Sequence, residues 1–180
     1  MARDAGRRHR LVTPRLRLRP ATSDDVAVLR EHWDRPAVRR YLWDGEPVTH
    51  ATVEAVIARS EVDFDAAGFG AWILHDARGR FVGYCGMRTT EDAGLPELLF
   101  SIEPDRWGRG LATEAAAGVL AHAFGTLGLE RVLAGVDGPN HASRRVLEHL
   151  GARPTTAPGA SPQRGPALEL TPERLRAMPP

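Results

Sequence analysis

Glu97-Leu98-Leu99-Phe100-Ser101-Ile102, then Trp107-Gly108-Arg109-Gly110-Leu111-Ala112, then Thr113-Glu114-Ala115-Ala116-Ala117: this succession decides how the chain folds. The first block is apolar and reads as a strand, and the last is alanine-rich and reads as the opening of a helix. A strand that ends in glycines and feeds a helix gathers free backbone N–H groups at one point, and such a point binds phosphate. Gly108 and Gly110 let the backbone approach an anion with no Cβ in the way.

The chain around this turn is punctuated clearly. Upstream, Arg15-Leu16-Arg17-Leu18-Arg19 alternates as a half-buried strand and Pro20 ends it. Thr22-Ser23-Asp24-Asp25 offers caps for a helix through Val26, Leu29 and Trp33, and Pro36 interrupts there. A second helix runs from near Thr49 toward Phe64. Ala71–His75 and Phe81–Met87 form a hairpin about Asp76–Arg80, and a strand follows over 95–102. Beyond the glycine turn, Ala116, Leu120, Ala123, Phe124 and Leu127 give a core-facing helical stripe, with Gly125 and Gly128 at its frayed end. Arg131–Val136 is a strand, Ala142–Leu150 a short helix, 155–166 a turn-rich loop and Ala167–Leu170 an edge strand. The expected fold class is therefore a mixed α/β (α+β) single domain with one mixed sheet. Residues 1–12 read as a disordered basic arm and 13–176 as the domain.

Bulk properties exclude several classes. The chain has 180 residues, enough for one domain, and a net charge of +1, so nothing global calls for an acidic partner. Cys85 stands alone, which rules out an internal disulfide and fits a reducing compartment. No apolar run reaches membrane-spanning length, and no apolar core follows the basic N-terminus. These features lead to the expectation of a cytoplasmic protein with no membrane or nucleic-acid partner; the arm carries Asp4 and no interleaved aromatics.

Three ligands compete for the glycine turn. An ATP or GTP loop needs a lysine, and every basic residue here is arginine. A dinucleotide site wants a third glycine where Thr113 stands, and too few strands follow to build a doubly wound sheet. The third is the diphosphate of an acyl-coenzyme A.

Here the chain resembles the GCN5-related N-acetyltransferase (GNAT) superfamily, and within it the RimJ/RimL-like branch, from about Thr13 to Leu170. Gly110 and Ala112 match the end of that family's Gln/Arg-x-x-Gly-x-Gly/Ala loop, with Trp107 where Gln or Arg is usual. Thr13-Pro14-Arg15-Leu16-Arg17-Leu18-Arg19 and Asn140-His141-Ala142-Ser143 with Val146–Gly151 resemble two further motifs of the branch. The resemblance implies a GNAT-like acyl-CoA N-acyltransferase fold. It implies transfer of acetyl from acetyl-CoA to a primary amine, by direct attack in a ternary complex and without metal, in a monomer or homodimer. The implied cofactor contacts are Phe100, Ser101, Trp107, Gly108, Arg109, Gly110, Leu111, Ala112, Thr113, Asn140 and Ser143. Arg106, Arg144 and Arg145 are further candidates for phosphate contacts. A catalytically silent CoA-binding module is the alternative.

The chemistry has three needs. The amine must be neutral: a lysine amine is neutral about once in 2,500 molecules at pH 7, an α-amine about once in seven. Glu97, at the head of the strand, could take the proton through water, or could be a solvated residue; Glu103 before Pro104 reads as a turn residue. The oxyanion needs a donor, and the resemblance implies a backbone N–H, from Phe100 or Ser101, exposed where Leu95–Ile102 and Arg131–Val136 splay apart. The departing sulfur needs a donor. Leu147 stands where many relatives carry a Tyr acid, so Ser143 is the candidate, or else a helix-start hydroxyl. Asn140 caps the last helix, contacts the pantetheine arm, or both. Trp33, Tyr41 and Trp43, with Asp44, Glu46 and Trp72, are candidates to line the acceptor pocket, although Trp72 reads as core. The residue after Gly151 is Ala152 where the family usually has Phe, which puts the final hairpin in question.

Overall fold

The computed structural model describes residues 9–90, 94–156 and 167–175. Its centre is one eight-stranded sheet: β1 (Leu11–Val12), β2 (Leu16–Pro20), β3 (Ala71–Asp76), β4 (Phe81–Thr89), β5 (Pro96–Ile102), β6 (Val132–Ala134), β7 (Arg153–Pro154) and β8 (Leu168–Leu170). The spatial order is β1-β2-β3-β4-β5-β6-β8-β7. Every neighbouring pair is antiparallel except β5–β6, which the glycine turn and its helix connect as a parallel crossover. The expected mixed α/β fold with a single mixed sheet is what the chain adopts.

The helices are α1 (Val26–Trp33), α2 (Pro36–Leu42), α3 (His50–Ala67), α4 (Leu111–Ala121) and α5 (His141–His149). α2 departs from the sequence reading, which took Pro36 as an interruption. Pro36 is instead the first residue of α2, where its missing N–H costs nothing. α4 does not fray at its glycines; it passes into a π turn over His122–Thr126. Residues 9–12 belong to the fold and not to an arm: Leu11 and Val12 pair with Leu18 and Arg17, and the His9 carbonyl accepts the Trp72 indole N–H. Residues 1–8, most of the 155–166 loop and the end of the expected domain at 176 lie outside the described residues. The final hairpin is short, β7 against β8, and Ala152 is buried beside it.

Strand alternation builds two cores, one on each face of the sheet. Trp72, Leu74, Cys85, Met87, Leu98 and Ile102 face α4 and α5, meeting Ala115, Ala116, Val119, Leu120, Leu147 and Leu150. Ala71, Ile73 and Tyr84, with Leu99 packed at the margin, face α1 and α2 and meet Leu29, Trp33 and Val38. The alanines of α4 let that helix lie close to the sheet, which puts its N-terminus at the C-terminal end of β5.

Candidate active site

β5 and β6 share a single paired position, Glu97 opposite Leu133. Beyond it the two strands part, and the expected splay is present. The ladder between β4 and β5 decides which amide faces the opening. Its register is unbroken from Gly83–Ile102 to Thr89–Pro96. Thr90 N–H to the Leu95 carbonyl and Glu103 N–H to the Val82 carbonyl, both 2.9 Å, flank it. Hydrogen-bonded and open pairs alternate along an antiparallel ladder. Odd-numbered residues of β5 therefore turn their N–H groups to β4, and even-numbered ones turn theirs toward β6. Of the two candidates left open by the sequence, Phe100 presents its amide to the opening, and Ser101 directs its amide to β4 and its side chain to α1.

The glycine turn closes the wide end of this opening. Gly108 and Gly110 have φ of 74° and 73°, conformations that an L side chain rarely adopts. A Cβ on Gly108 would meet nothing within 4 Å, so the space above the loop is open. Gly110 is the N-cap of α4 and no side chain caps that helix. The first-turn amides of Leu111, Ala112 and Thr113 are thus left without an intrahelical acceptor, at the positive end of the helix dipole. Trp107 is 53% exposed and its indole N–H donates to the Ile102 carbonyl at 2.7 Å, so the ring lies back against the end of β5.

Contacts that sequence reasoning missed hold the loop in place. Glu114, only 2% exposed, accepts from the Thr13 hydroxyl (2.6 Å), the Arg15 amide (2.7 Å) and Arg15 Nε (2.6 Å). Burial alone pushes its carboxyl up, but these donors outweigh that and hold it below the ordinary glutamate value. Arg15 Nη1 in turn donates to the Arg109 carbonyl at 2.8 Å, inside the loop. The opening Thr-Pro-Arg motif and the Thr-Glu of the loop helix are therefore two halves of one device. Arg15 is also a cation at the loop, its Nη2 lying 3.5 Å from where a Cβ on Gly110 would stand. Arg109 itself donates to the Asp105 carbonyl at 3.2 Å, and Arg106 is committed to Asp76 at 3.0 Å.

Glu97 stands where the strands are still paired. Its Oε2 is held by Arg88, at 2.9 Å from Nε and 2.8 Å from Nη2. Its Oε1 lies over Gly135, 3.2 Å from an ideal Cβ there. Asn140 caps α5, its Oδ1 accepting the Ser143 amide at 3.1 Å, which leaves the Asn140 amide group for a ligand. Ser143 sits half-buried in the first turn of α5. Leu147 is buried in the core. On the other face, Trp33 is buried, its ring 5.3 Å from Trp43 and 5.1 Å from Tyr84. Tyr41 and Trp43 are half-buried. Among the described residues, the indole N–H groups of Trp33 and Trp43 are the buried side-chain polar atoms with no partner.

Glu103 opens the turn over Pro104–Arg106 as its place before Pro104 suggests, its carbonyl accepting the Arg106 amide at 2.9 Å, but its side chain has a second place. It is buried, and its Oε1 lies 2.9 Å from Nδ1 of His32, which is fully buried. His32 Nε2 lies 3.0 Å from Ser101 Oγ, and Arg35 stands 3.3 Å from the other Glu103 oxygen. Burial, aided by Arg35, pushes the His32 imidazole down to about 4. One signal was available for His32: it follows Leu29 by three residues, on the apolar stripe of α1.

A protein-family model described as an acetyltransferase (GNAT) domain matches residues 15–153. The chain belongs to this GNAT acetyltransferase family. It is therefore an acetyl-CoA-dependent acyltransferase, and the open, uncapped α4 turn and the parted strands suit that cosubstrate. Among curated relatives, the YkkB protein of Bacillus subtilis is 33% identical over 148 residues, 79% of this chain and 84% of YkkB. The FsC-acetyl coenzyme A-N(2)-transacetylase of Aspergillus fumigatus is 29% identical over 154 residues, 81% of this chain but 59% of that protein. Among solved structures, an acetyltransferase from Agrobacterium tumefaciens superposes with a TM-score of 0.80 at 25% identity, covering 89% of this chain and 92% of that one. Mycobacterium smegmatis RimJ in complex with CoA-disulfide gives 0.72 at 22%, covering 93% and 88%, a likeness of fold.

Proposed function

We propose that the chain is a RimJ/RimL-like N-acetyltransferase of one domain that includes the β1 strand Leu11–Val12. In this reading it moves acetyl from acetyl-CoA to a primary amine, on a protein N-terminus or a small molecule, by direct attack in a ternary complex. The observation that carries the reading is the junction of two free donor sets: the uncapped amides at the start of α4 and the Phe100 amide facing the gap between β5 and β6. A diphosphate held by the amides from Gly108 to Thr113 directs pantetheine into that gap. There it lies like an added strand beside β5.

Residue roles follow from position. Phe100 N–H donates to the thioester oxygen as charge develops on it. Arg15 and Arg109 balance diphosphate charge, and Trp107 covers the turn. Glu97, at the narrow end of the gap, takes the proton of an arriving ammonium through water. The Asn140 amide group meets the pantetheine arm, and the Ser143 hydroxyl donates to sulfur. Tyr41 and Trp43 flank the acceptor on the α1–α2 side, and the orphaned indole donors of Trp33 and Trp43 suit a carbonyl or carboxylate there.

The test is thiol release from acetyl-CoA with a panel of acceptors: peptides with free N-termini, amino acids, spermidine and an aminoglycoside. Turnover with at least one supports the reading. Tight CoA binding with no thiol release across the panel contradicts it and favours the silent CoA-binding module.

A further inference from the structure

Ser101, His32 and Glu103 form a hydrogen-bonded line between β5 and α1 that ends at half-buried Ser101, the residue after Phe100. Ser101 Oγ is 3.0 Å from His32 Nε2, His32 Nδ1 is 2.9 Å from Glu103 Oε1, and Arg35 is 3.3 Å from Glu103 Oε2. The line spans α1 and β5, and Phe81 packs edge-on against the imidazole at 5.5 Å. Leu29 and Trp33 already fasten α1 to the sheet through apolar contact, so the polar groups are not needed for that docking. Burying three of them costs free energy unless all are satisfied.

The line has one consistent proton arrangement. Burial pushes the Glu103 carboxyl above its ordinary value and Arg35, 3.3 Å from its outer oxygen, works against that; as a carboxylate Glu103 can only accept, and His32 then carries its proton on Nδ1. Nε2 is then an acceptor, and the Ser101 hydroxyl donates to it. Ser101 is half-buried. With its own proton committed inward, it offers only lone pairs to the cleft. It is the residue after Phe100, whose amide faces the gap between β5 and β6.

Resting on the acetyltransferase reading above, we propose that Ser101 is a catalytic residue that accepts the acceptor amine's proton during attack and passes it to His32, with Glu103 and Arg35 as positioning residues. Glu97 neutralises the ammonium before attack; the Ser101 line acts afterwards. As the amine nitrogen bonds the carbonyl carbon, that nitrogen becomes positively charged. Its proton moves to Ser101 Oγ while the hydroxyl proton moves to His32 Nε2, a transfer that burial of the imidazole opposes and the Glu103 carboxylate 2.9 Å from Nδ1 offsets. The C–S bond then breaks, and the proton returns through Ser101 to the thiolate. The products are amide and thiol, and the line ends as it began. Arg35, the N-cap of α2, is the charge that acts on the imidazole beside Glu103, and Arg35, Asp105, Glu31 and Arg106 act on Glu103. The arrangement matches the hydroxyl–imidazole–carboxylate order of serine hydrolases. In this chain the hydroxyl relays a proton and forms no acyl bond.

The test compares wild type with Ser101→Ala, Ser101→Thr and Glu103→Gln in single-turnover acetyl transfer to whichever panel amine is active. All are checked for thermal unfolding, since His32 itself is too deeply buried for a clean substitution. Ser101→Ala is expected to lower the transfer rate about 100-fold or more, the scale of one acid–base group. KM for acetyl-CoA should stay near wild type, and Ser101→Thr, which keeps the hydroxyl, should restore most of the rate. In ligand-free protein, nitrogen NMR should show His32 protonated on Nδ1 and bare on Nε2, and Glu103→Gln should disturb that state. Three results overturn the relay: Ser101→Ala within threefold of wild type with an unchanged pH profile, a proton found on Nε2, or an acetyl group trapped on Ser101 after exposure to acetyl-CoA alone. A wild type inactive with every amine overturns the function reading itself, a different failure.

Discussion

Replacing Glu114 by alanine should loosen the diphosphate loop and the fold together. The carboxylate has three donors at 2.6–2.7 Å, two of them from Arg15 and one from Thr13. Arg15's guanidinium is half-exposed and finds water again when its partner goes. The Arg15 amide and the Thr13 hydroxyl are part-buried, and each costs about 1–3 kcal/mol where water does not replace the carboxylate. Alanine's better helix propensity returns only a few tenths. The net loss is about 3 kcal/mol, which lowers Tm by roughly 6–12 °C in a domain of this size. Arg15 also loses its anchor, so its bond to the Arg109 carbonyl weakens and the loop widens; a loss near 1.4 kcal/mol raises KM for acetyl-CoA about tenfold. The pH dependence has a definite sign. Glu114 titrates below its ordinary value of 4.5 in the folded chain, so its stabilisation is full above that value and fades as pH falls through the lowered one. Calorimetry from pH 7 to 3 checks this: wild type should lose that increment and the variant should not. A Tm within 2 °C of wild type at pH 7, with unchanged KM, would refute the reasoning.

Three further outcomes follow from the same structure. Gly110→Val should raise KM for acetyl-CoA at least tenfold and cost about 1–3 kcal/mol, because a β-branched residue is forced to φ of 73° at the helix cap; thiol-release kinetics and thermal melts check both. Asp25→Asn should flatten the acid limb of the stability curve. Burial works against the Asp25 charge, but Arg19 (2.6 and 2.7 Å) and Thr22 hold its carboxyl below the ordinary 3.8, so that stabilisation is present above this value and disappears below it. Cys85 should resist alkylation in the native protein and react once unfolded, since full burial pushes its thiol far up; mass spectrometry after iodoacetamide reads the difference.

Local patterns carried much of the fold in the sequence. The strand–glycine–helix succession, the hairpin about Asp76–Arg80 and the stripe on α4 depend on neighbours a few residues apart, and each stands where its pattern puts it. Pro36 misled because proline both stops a helix and starts one, and only the chain's path distinguishes the two. The contacts that orient the site join distant residues. Thr13 and Arg15 meet Glu114 across about a hundred positions, and His32 meets Ser101 and Glu103 across about seventy. No periodicity in one sequence encodes such a meeting. Glu103 before Pro104 therefore read only as a turn residue, which it is, and its burial against His32 became visible only in three dimensions. The choice between Phe100 and Ser101 was likewise closed to sequence, because it turns on the parity of a hydrogen-bond ladder.

A crystal structure of the protein with acetyl-CoA tests the central claim most directly. The account predicts diphosphate oxygens within hydrogen-bond distance of the amides between Gly108 and Thr113, with the thioester oxygen facing the Phe100 N–H. A ligand bound elsewhere, with the glycine turn empty, would contradict it.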